Sequence, residues 1–540
     1  MAEQLEADVV IVGAGVAGTL VGWSLARAGA RVLILEAGPA VDRARAVKTF
    51  RAALAKAPNA PYPDVPYAPR PKVTDLRGYY VQAGPDLFKS AYERQVGGTT
   101  WHWNATAMRH LPSDFAIRSR YGVGVDWPIT YAQLEPWYVA AERQLGVAGD
   151  DGADFGSPRS QRYPLPPIAQ TYLDRQVEAA AATLGIPVLP TPQARNSVSF
   201  QGRPACCGNS TCVPLCPIGA KYDASVHAKL AQAAGARLVE QAIVSRIDVG
   251  PDGKVSGLRF KRPDGSEQGA TGRVYVLAAH AIETPKLLLM SRSDRLPHGV
   301  ANSSDQVGRN LMDHVTQVSL ALTKNPVYPY RGPGETSGIE QYRDGAFRAS
   351  QAAFRTPIGN DGWSFGGQDV VALVPDLVEK RGLLGAALRE EVRRQGSRQL
   401  RFAALVEQLP DPENRVTPAF DQLDPLGLPR PRLAYRVDDY THRGMATARQ
   451  LADRVFDALG VLARQHVADY FGAGHIIGTY RMGADPKTSV VDARQRAHDH
   501  PNLFLVGSGV YPTGATANPT LTIAALALWA ADTIRKDLGR

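Results

Sequence analysis

Cysteine is almost absent from this chain. There are four in 540 residues, Cys206, Cys207, Cys212 and Cys216, and all fall in the stretch "PACCGNSTCVPLCPIGAKYD". A disulfide scaffold spread over the fold is therefore excluded. Long apolar runs are lacking too. The best, "LTIAALALWAADTI" near the end, is too short to cross a bilayer and reads as a buried helix. The opening residues, "MAEQLEADVVIVGAG", show no basic segment followed by an apolar core and a cleavage site. The chain is thus expected to carry no export signal of its own, which leaves room for a partner that carries one for both. Dense Lys/Arg runs interleaved with aromatics are missing as well. The net charge of +9 then reads as an evenly charged surface, with no nucleic-acid role. No internal repeat is visible.

What is present points to a large globular enzyme. Hydrophobic residues make up 44% of the chain, and its length calls for two domains or one elaborated domain. The 51 glycines and 40 prolines suit long ordered loops laid over a scaffold.

Residues 8–38 read "DVVIVGAGVAGTLVGWSLARAGARVLILEAG". The β-branched run Val9 to Val12 suits a buried parallel strand. It ends in Gly13-x-Gly15-x-x-Gly18, a helix-like segment follows, and a second strand ends at Glu36. Glycines at these places allow the tight turn, the approach of backbone to a pyrophosphate, and close helix–strand packing. The helix N-terminus offers free N–H groups to the phosphates, and Glu36 offers its carboxylate to a ribose. The pattern fixes a dinucleotide site and leaves NAD and FAD open.

The cysteine spacing, Cys-Cys-x4-Cys-x3-Cys-Pro, admits three chemistries. Zinc fits adjacent cysteines badly. Disulfides would close very small loops that remove little unfolded-state entropy. Iron–sulfur ligation by thiolates from one loop, ended by Cys-Pro, fits best. Neighbours in an extended segment point to opposite faces, so one of Cys206 and Cys207 should miss such a cluster.

Five further blocks carry a family resemblance: "RQVGGTTWHWNATAMR" (94–109), "DWPITYAQLEPWYVAAE" (126–142), "VYVLAAHAIETPKLLLMS" (274–291), "VGRNLMDH" (307–314), and "GHIIGTYRMGAD" with "NLFLVGSGVYPTGATANPTLTIAALAL" (474–528). In this order they resemble the glucose–methanol–choline (GMC) oxidoreductases, which are FAD enzymes. The resemblance implies an α/β fold in which a Rossmann-like FAD-binding domain is interleaved with an antiparallel-sheet substrate domain. The expected segments are 1–110, 195–320 and 470–540 for FAD, with an iron–sulfur loop at 204–219, and 111–194 and 321–469 for the substrate.

Within the family, the cysteine window resembles the catalytic subunits of bacterial membrane-linked sugar dehydrogenases. That implies a 3Fe–4S cluster beside the flavin, held by Cys206, Cys212 and Cys216, with Cys207 outside it. It also implies a sugar substrate, a small chaperone-like subunit bearing the export signal, and a multihaem cytochrome c subunit. The membrane is then met only through the cytochrome, and the expected location is the periplasmic side of the inner membrane by co-export, with a cytoplasmic location as the alternative.

The resemblance also implies the site. His475 in "GHIIGT" falls on the family's catalytic histidine, and Asn518 in "ANPTLT" on its partner. The alternatives are packing for His475 and a cap on the helix starting near Thr520 for Asn518. Flavin contacts are expected from Gly13, Gly15, Ala17, Gly18 and Glu36, from Gly97, Gly98, Thr99, His102, Trp103 and Asn104, and from Val244, Gly507, Ser508, Pro519 and Thr520. His102 lies where some relatives attach FAD covalently; ring packing or a flavin hydrogen bond is the other reading. Gln408 is placed either facing the substrate or as a plain strand residue. Gly474, just before the histidine, departs from relatives with a polar residue there, which puts glucose itself in question. The expected reaction is alcohol oxidation, with His475 taking the hydroxyl proton, a hydride passing to FAD, and electrons leaving singly through the cluster. An oxygen-reducing GMC oxidase, a GMC-fold lyase with structural FAD, and a non-enzymatic zinc scaffold are the competing readings.

Overall fold

The computed structural model describes residues 4–54, 56–363 and 370–540. At its centre is a five-stranded parallel sheet in the order Leu503–Leu505, Val274–Leu277, Val9–Val12, Val32–Leu35, Arg237–Val239. Every residue of Val9–Val12, Val32–Leu35 and Val274–Leu277 is buried, which is why these strands are runs of Val, Ile and Leu, broken only by Tyr275, with no alternation. Helices Val16–Arg27, Ser225–Ala233 and Thr520–Asp537 pack together beside it. The carboxy-terminal apolar run is thus a buried helix, as its length implied. No helix among the described residues is long and apolar enough to cross a membrane.

A second sheet has seven strands, all antiparallel. Its path is Ala463–His466, Val315–Leu322, Gln399–Val406, Phe354–Gly359, Ser337–Ile339, Leu189–Pro190, and Phe471–Gly472 pairs beside Val315–Leu322. Helix Asp439–Leu459 packs on one face, where Phe402 stacks on Phe456 at 5.2 Å. The opposite face carries Arg401, Ala403 and Leu405 by strand alternation and looks into the interior cavity. Two smaller sheets complete the fold: Gln4–Glu6 with 243–271, and Arg415–Leu423 and Pro429–Ala434 with Val81–Gln82. The parallel and antiparallel sheets draw strands alternately along the chain, so the two architectures are interleaved as expected. Strand Val315–Leu322 belongs wholly to the antiparallel sheet and so crosses the boundary placed at residue 320.

Candidate active site

A cavity of about 1230 Å³ runs between the two sheets. Its amino-terminal wall is a cradle of glycine turns. Gly13 has φ +102°, and a Cβ there would stand 2.5 Å from the Ala278 carbonyl oxygen. Gly15 has open space where a side chain would project, and Gly98, φ +52°, faces it with its Cβ position 3.3 Å from the Gly15 Cα. The helix Val16–Arg27 starts at Gly15 with no side-chain cap and no acid in its first turn. Its first N–H groups are therefore offered to an anion, as a pyrophosphate requires. Glu36 is buried and accepts from the Ala14 and Gly38 N–H groups at 2.7 and 2.9 Å, which holds its carboxylate at the cavity wall. Burial raises its pKa, and those N–H bonds oppose the rise.

Gly13, Gly15, Ala17, Glu36, Gly98, Thr99, His102, Trp103, Asn104, Val244, Gly507, Ser508, Pro519 and Thr520 all line this cavity. Two expected contacts do not. Gly18 is pressed against the turn itself, its Cβ position 2.0 Å from the Gly13 carbonyl oxygen, so it serves the packing of helix on strand. Gly97, φ +95°, makes room for the Trp101 indole at 2.6 Å. The residues fit FAD: glycine backbone for the pyrophosphate, an acid for the ribose, and a long enclosed slot beyond.

At the far side of the slot His475 and Asn518 meet. Asn518 Nδ2 lies 3.1 Å from His475 Nε2, and both residues line the cavity. Asn518 caps nothing: helix Thr520–Asp537 has no side-chain cap, and the Asn518 Oδ1 accepts from Arg355 at 3.2 Å. Behind His475 stands His314, whose Nδ1 is 2.8 Å from His475 Nδ1. The other nitrogen of His314, Nε2, lies 2.8 Å from the Ala515 carbonyl oxygen, which only accepts. Neutral His314 thus carries its proton on Nε2 and accepts at Nδ1. His475 must then carry its proton on Nδ1, leaving a lone pair on Nε2 at the cavity.

The support continues outward. Asp313 accepts from the His475 N–H at 2.9 Å and from the Ser90 hydroxyl, and Ser90 Oγ also accepts from the Gly474 N–H at 2.8 Å. Gly474, just before the histidine, has no side chain, and its N–H is held in this clamp instead. Arg355 is fully buried and pairs with Glu335 at 3.2 Å and Glu340 at 3.0 Å. Glu335 in turn accepts from Asn104 and Thr106 at 2.9 and 3.2 Å. Gln408 does not face the cavity. Its Oε1 accepts from the Asp313 N–H at 3.1 Å and the Tyr435 hydroxyl at 2.8 Å, so it holds the segment carrying Asp313 and His314 that leads into strand Val315–Leu322. His314, Asp313, Arg355 and Glu335 were not singled out from the sequence. The histidine and aspartate lay inside "VGRNLMDH", but nothing local shows what they touch.

Electrostatics favour neutral imidazoles here. Burial pushes His314 down to about 4. Burial, then the proximity of His314 and Arg355, lowers His475 well below the usual imidazole value. Burial pushes Asp313 up to about 6, against its own hydrogen bonds. A neutral base beside an amide donor, next to a dinucleotide slot, can take a hydroxyl proton while steadying the oxygen it leaves.

The cysteine loop forms another part of the same wall, through Ser210, Thr211, Val213 and Pro214. Lys221 staples it to the turn that carries His102: its buried Nζ donates to the carbonyls of Trp101, Trp103 and Cys212 at 2.8, 2.6 and 2.8 Å. Cys212 and Cys216 are buried, Cys206 is half-buried and Cys207 is exposed. Burial raises the Cys216 thiol, but N–H groups of Lys221 and Ile218 and the Lys221 ammonium outweigh it and the net shift is downward. Cys206 is raised by burial, and the charges that act on it include those of Cys212 and Cys216. Among the described residues, however, no three His, Cys, Asp or Glu side chains are gathered as a metal-holding group. The donor chemistry is that of a thiolate-bound cluster, while the described side chains do not converge on one point. His102 lines the flavin slot with its Nδ1 3.5 Å from Glu93.

The glycine cradle and the imidazole–amide pair define a flavin-dependent oxidoreductase. Comparison with known proteins gives its family. GMC oxidoreductase models match residues 165–316 and 410–527, and the FAD dependent oxidoreductase model matches residues 8–196. The chain is 39% identical over 546 residues to the fructose dehydrogenase large subunit of Gluconobacter japonicus, with 99% of each chain covered. It is 25% identical over 615 residues to the gluconate 2-dehydrogenase flavoprotein of Pantoea cypripedii, covering 99% of this chain and 94% of that one. Among solved structures, pyridoxine 4-oxidase from Mesorbium loti superposes with a TM-score of 0.67 at 20% identity, covering 98% of this chain and 99% of that one, which speaks for the fold alone. The chain belongs to the GMC oxidoreductase family.

Proposed function

We propose that this protein is the catalytic subunit of an FAD-dependent sugar dehydrogenase that oxidises a CH–OH group and delivers the electrons to an acceptor other than oxygen. The observation that carries the reading is the His314–His475–Asn518 array on the wall of the flavin slot, with the His475 Nε2 lone pair turned toward the cavity. The likeness to the fructose and gluconate enzymes supports a sugar as substrate.

In this reading His475 Nε2 accepts the proton of the sugar hydroxyl. Asn518 Nδ2, which otherwise donates to His475 Nε2, turns its N–H to the same oxygen, freeing the lone pair and steadying the charge that grows as the proton departs. Arg355 holds the Asn518 carbonyl, so the amide cannot turn its oxygen toward the substrate. The Asp313 clamp fixes the backbone of His475, and His314 fixes its tautomer. FAD, when bound, supplies the acceptor for the hydride that leaves the carbon.

Cys206, Cys212 and Cys216 are proposed to hold a 3Fe–4S cluster, which when bound would carry electrons onward one at a time. The Lys221 staple, which ties the cysteine loop to the flavin wall, supports that role. A multihaem cytochrome c subunit and a small subunit bearing the export signal complete the proposal, with the assembly on the periplasmic side of the inner membrane. The test is an anaerobic panel of sugars scored by bleaching of the flavin absorbance, with oxygen and a redox dye then compared as acceptors. Bleaching followed by dye reduction is expected. A flavin that no sugar bleaches, or one reoxidised as fast by oxygen as by the dye, would sink the reading.

A further inference from the structure

The wall beside the catalytic pair holds a carboxylate that proton abstraction does not use. Glu335 lines the cavity, with its side chain 11% exposed. Three neighbours fix it. Its Oε1 accepts from the Thr106 hydroxyl and from Arg355 Nη1, both at 3.2 Å, and its Oε2 accepts from Asn104 Nδ2 at 2.9 Å. Each oxygen of a carboxylate has lone pairs for two donors. Oε1 is therefore filled, and among the described residues Oε2 keeps one lone pair.

Arg355 already has a carboxylate without this one. Glu340, which does not line the cavity, accepts from Arg355 Nε at 3.1 and 3.3 Å and from Nη2 at 3.0 Å. A second buried carboxylate is costly unless its oxygens are satisfied. Glu335 stands on the cavity side of Arg355, next to the catalytic amide. The same Arg355 Nη1 that bonds Glu335 Oε1 also donates to Asn518 Oδ1 at 3.2 Å. The two acceptor oxygens thus lie within about two hydrogen-bond lengths of each other. A span of that order suits two hydroxyls on adjacent carbons, one held at Asn518 and one at Glu335. Glu335 Oε2 only accepts, so the second group must donate. A free hydroxyl fits. An ether or carbonyl oxygen there would set lone pair against lone pair, and a bare methylene would leave the carboxylate short of a partner.

We propose that Glu335 is a specificity residue of this site and takes the hydroxyl on the carbon next to the one oxidised, so that the group recognised is a vicinal diol and not a lone alcohol. The proposal rests on the sugar dehydrogenase reading and adds which part of the sugar is read. A Glu335 that merely tied the Asn104 turn to the sheet would act on every substrate alike.

The test uses the FAD-loaded enzyme as wild type, Glu335→Gln and Glu335→Asp, each first shown to hold FAD. The sugar that bleaches the wild-type flavin fastest in a panel of glucose, fructose, mannose and galactose is compared with its own monodeoxy derivatives by dye reduction. One derivative should not turn over at all, because it lacks the reacting hydroxyl. In the wild type, a derivative lacking a hydroxyl on an adjacent carbon should lose about tenfold or more in kcat/KM, the scale of a hydrogen bond to a charged group. In Glu335→Gln the parent sugar should fall by a like factor while that derivative barely changes, so the penalty for the missing hydroxyl shrinks to a few-fold. Glu335→Asp, which keeps the charge on a shorter arm, should fall between the two. A penalty of the same size in wild type and Glu335→Gln, whatever the absolute rates, would make Glu335 a structural residue and overturn the assignment. A wild type indifferent to every hydroxyl next to the oxidised carbon would overturn it without any variant. If no sugar of the panel bleaches the wild-type flavin, the sugar reading fails and this assignment with it, which is a distinct result.

Discussion

The catalytic end and the cysteine loop border one cavity, yet they are built in opposite ways. At the catalytic end the contacts are made before anything binds: His475 to His314 at 2.8 Å, His475 to Asn518 at 3.1 Å, and Asn518 to Arg355 at 3.2 Å. At the loop two thiols are buried, one is half-buried and one is exposed, and they form no ligand group. Val213 and Ile218 on the same loop are 39% and 41% exposed. The contrast follows the chemistry. Proton transfer gains from dipoles fixed before the reaction, whereas the ligands of the proposed cluster would be gathered by the metal itself.

Exchanges at one end should therefore strike the hydride-yielding step, and exchanges at the other should strike only electron delivery. The largest effect is expected from His475→Ala. Flavin reduction by sugar, followed by stopped-flow absorbance under nitrogen, should slow at least about a hundredfold with FAD content unchanged. A loss of only a few-fold would remove His475 as the base. Cys212→Ser attacks the contrast from the other side. Sugar should still bleach the flavin at close to the wild-type rate, while reduction of a cytochrome acceptor is lost together with the resonance signal expected of the proposed 3Fe–4S cluster. If flavin reduction collapses equally, the two ends are not separable.

His314→Ala should be milder, about tenfold to a hundredfold in kcat, because it frees the tautomer and tilt of a base that remains present. A positioning role has a second signature in the pH profile. Burial, His314 and Arg355 hold His475 low, and the neutral form is the active one. So kcat/KM should stay level as pH falls through 6.5 and drop only in more acid solution. Removing His314 takes away one of the depressing influences, so the acid limb should move to higher pH. A purely structural loss would lower the profile without moving that limb. Asn518→Asp should move it the same way, since a carboxylate beside Nε2 favours the imidazolium. The smallest effect is expected from Cys207→Ser. An exposed thiol outside the ligand set should change neither flavin reduction nor the cluster signal, and loss of that signal would mean a four-thiolate site.

The nucleotide cradle was legible in the sequence because strand, turn and helix are consecutive there, and Glu36 follows within the same unit. Position alone could not separate contact from packing, so Gly18 and Gly97 were read as flavin contacts when they serve the helix and Trp101. The family resemblance pointed to His475 and Asn518, but the reason they work together lay out of reach. His314 meets His475 across 161 residues of chain, and Arg355 meets Asn518 across 163. Gln408 shows the same limit. The sequence left it either facing the substrate or as a plain strand residue, and the fold puts it just past strand Gln399–Val406 with its amide carbonyl holding Asp313.

The strand order of the parallel sheet governs how the protein is made. Val9–Val12 leaves the ribosome long before Leu503–Leu505, which completes its sheet at one edge, and helix Val16–Arg27 packs on Thr520–Asp537. The dinucleotide turn is therefore synthesised long before it has a sheet to stand on. The cradle is complete only once Leu503–Leu505 and Thr520–Asp537 have been made, and until then the polypeptide waits with apolar strands uncovered, the state in which long nascent chains aggregate or engage holding factors. Removing the last helix should thus empty the site at the opposite end of the sequence.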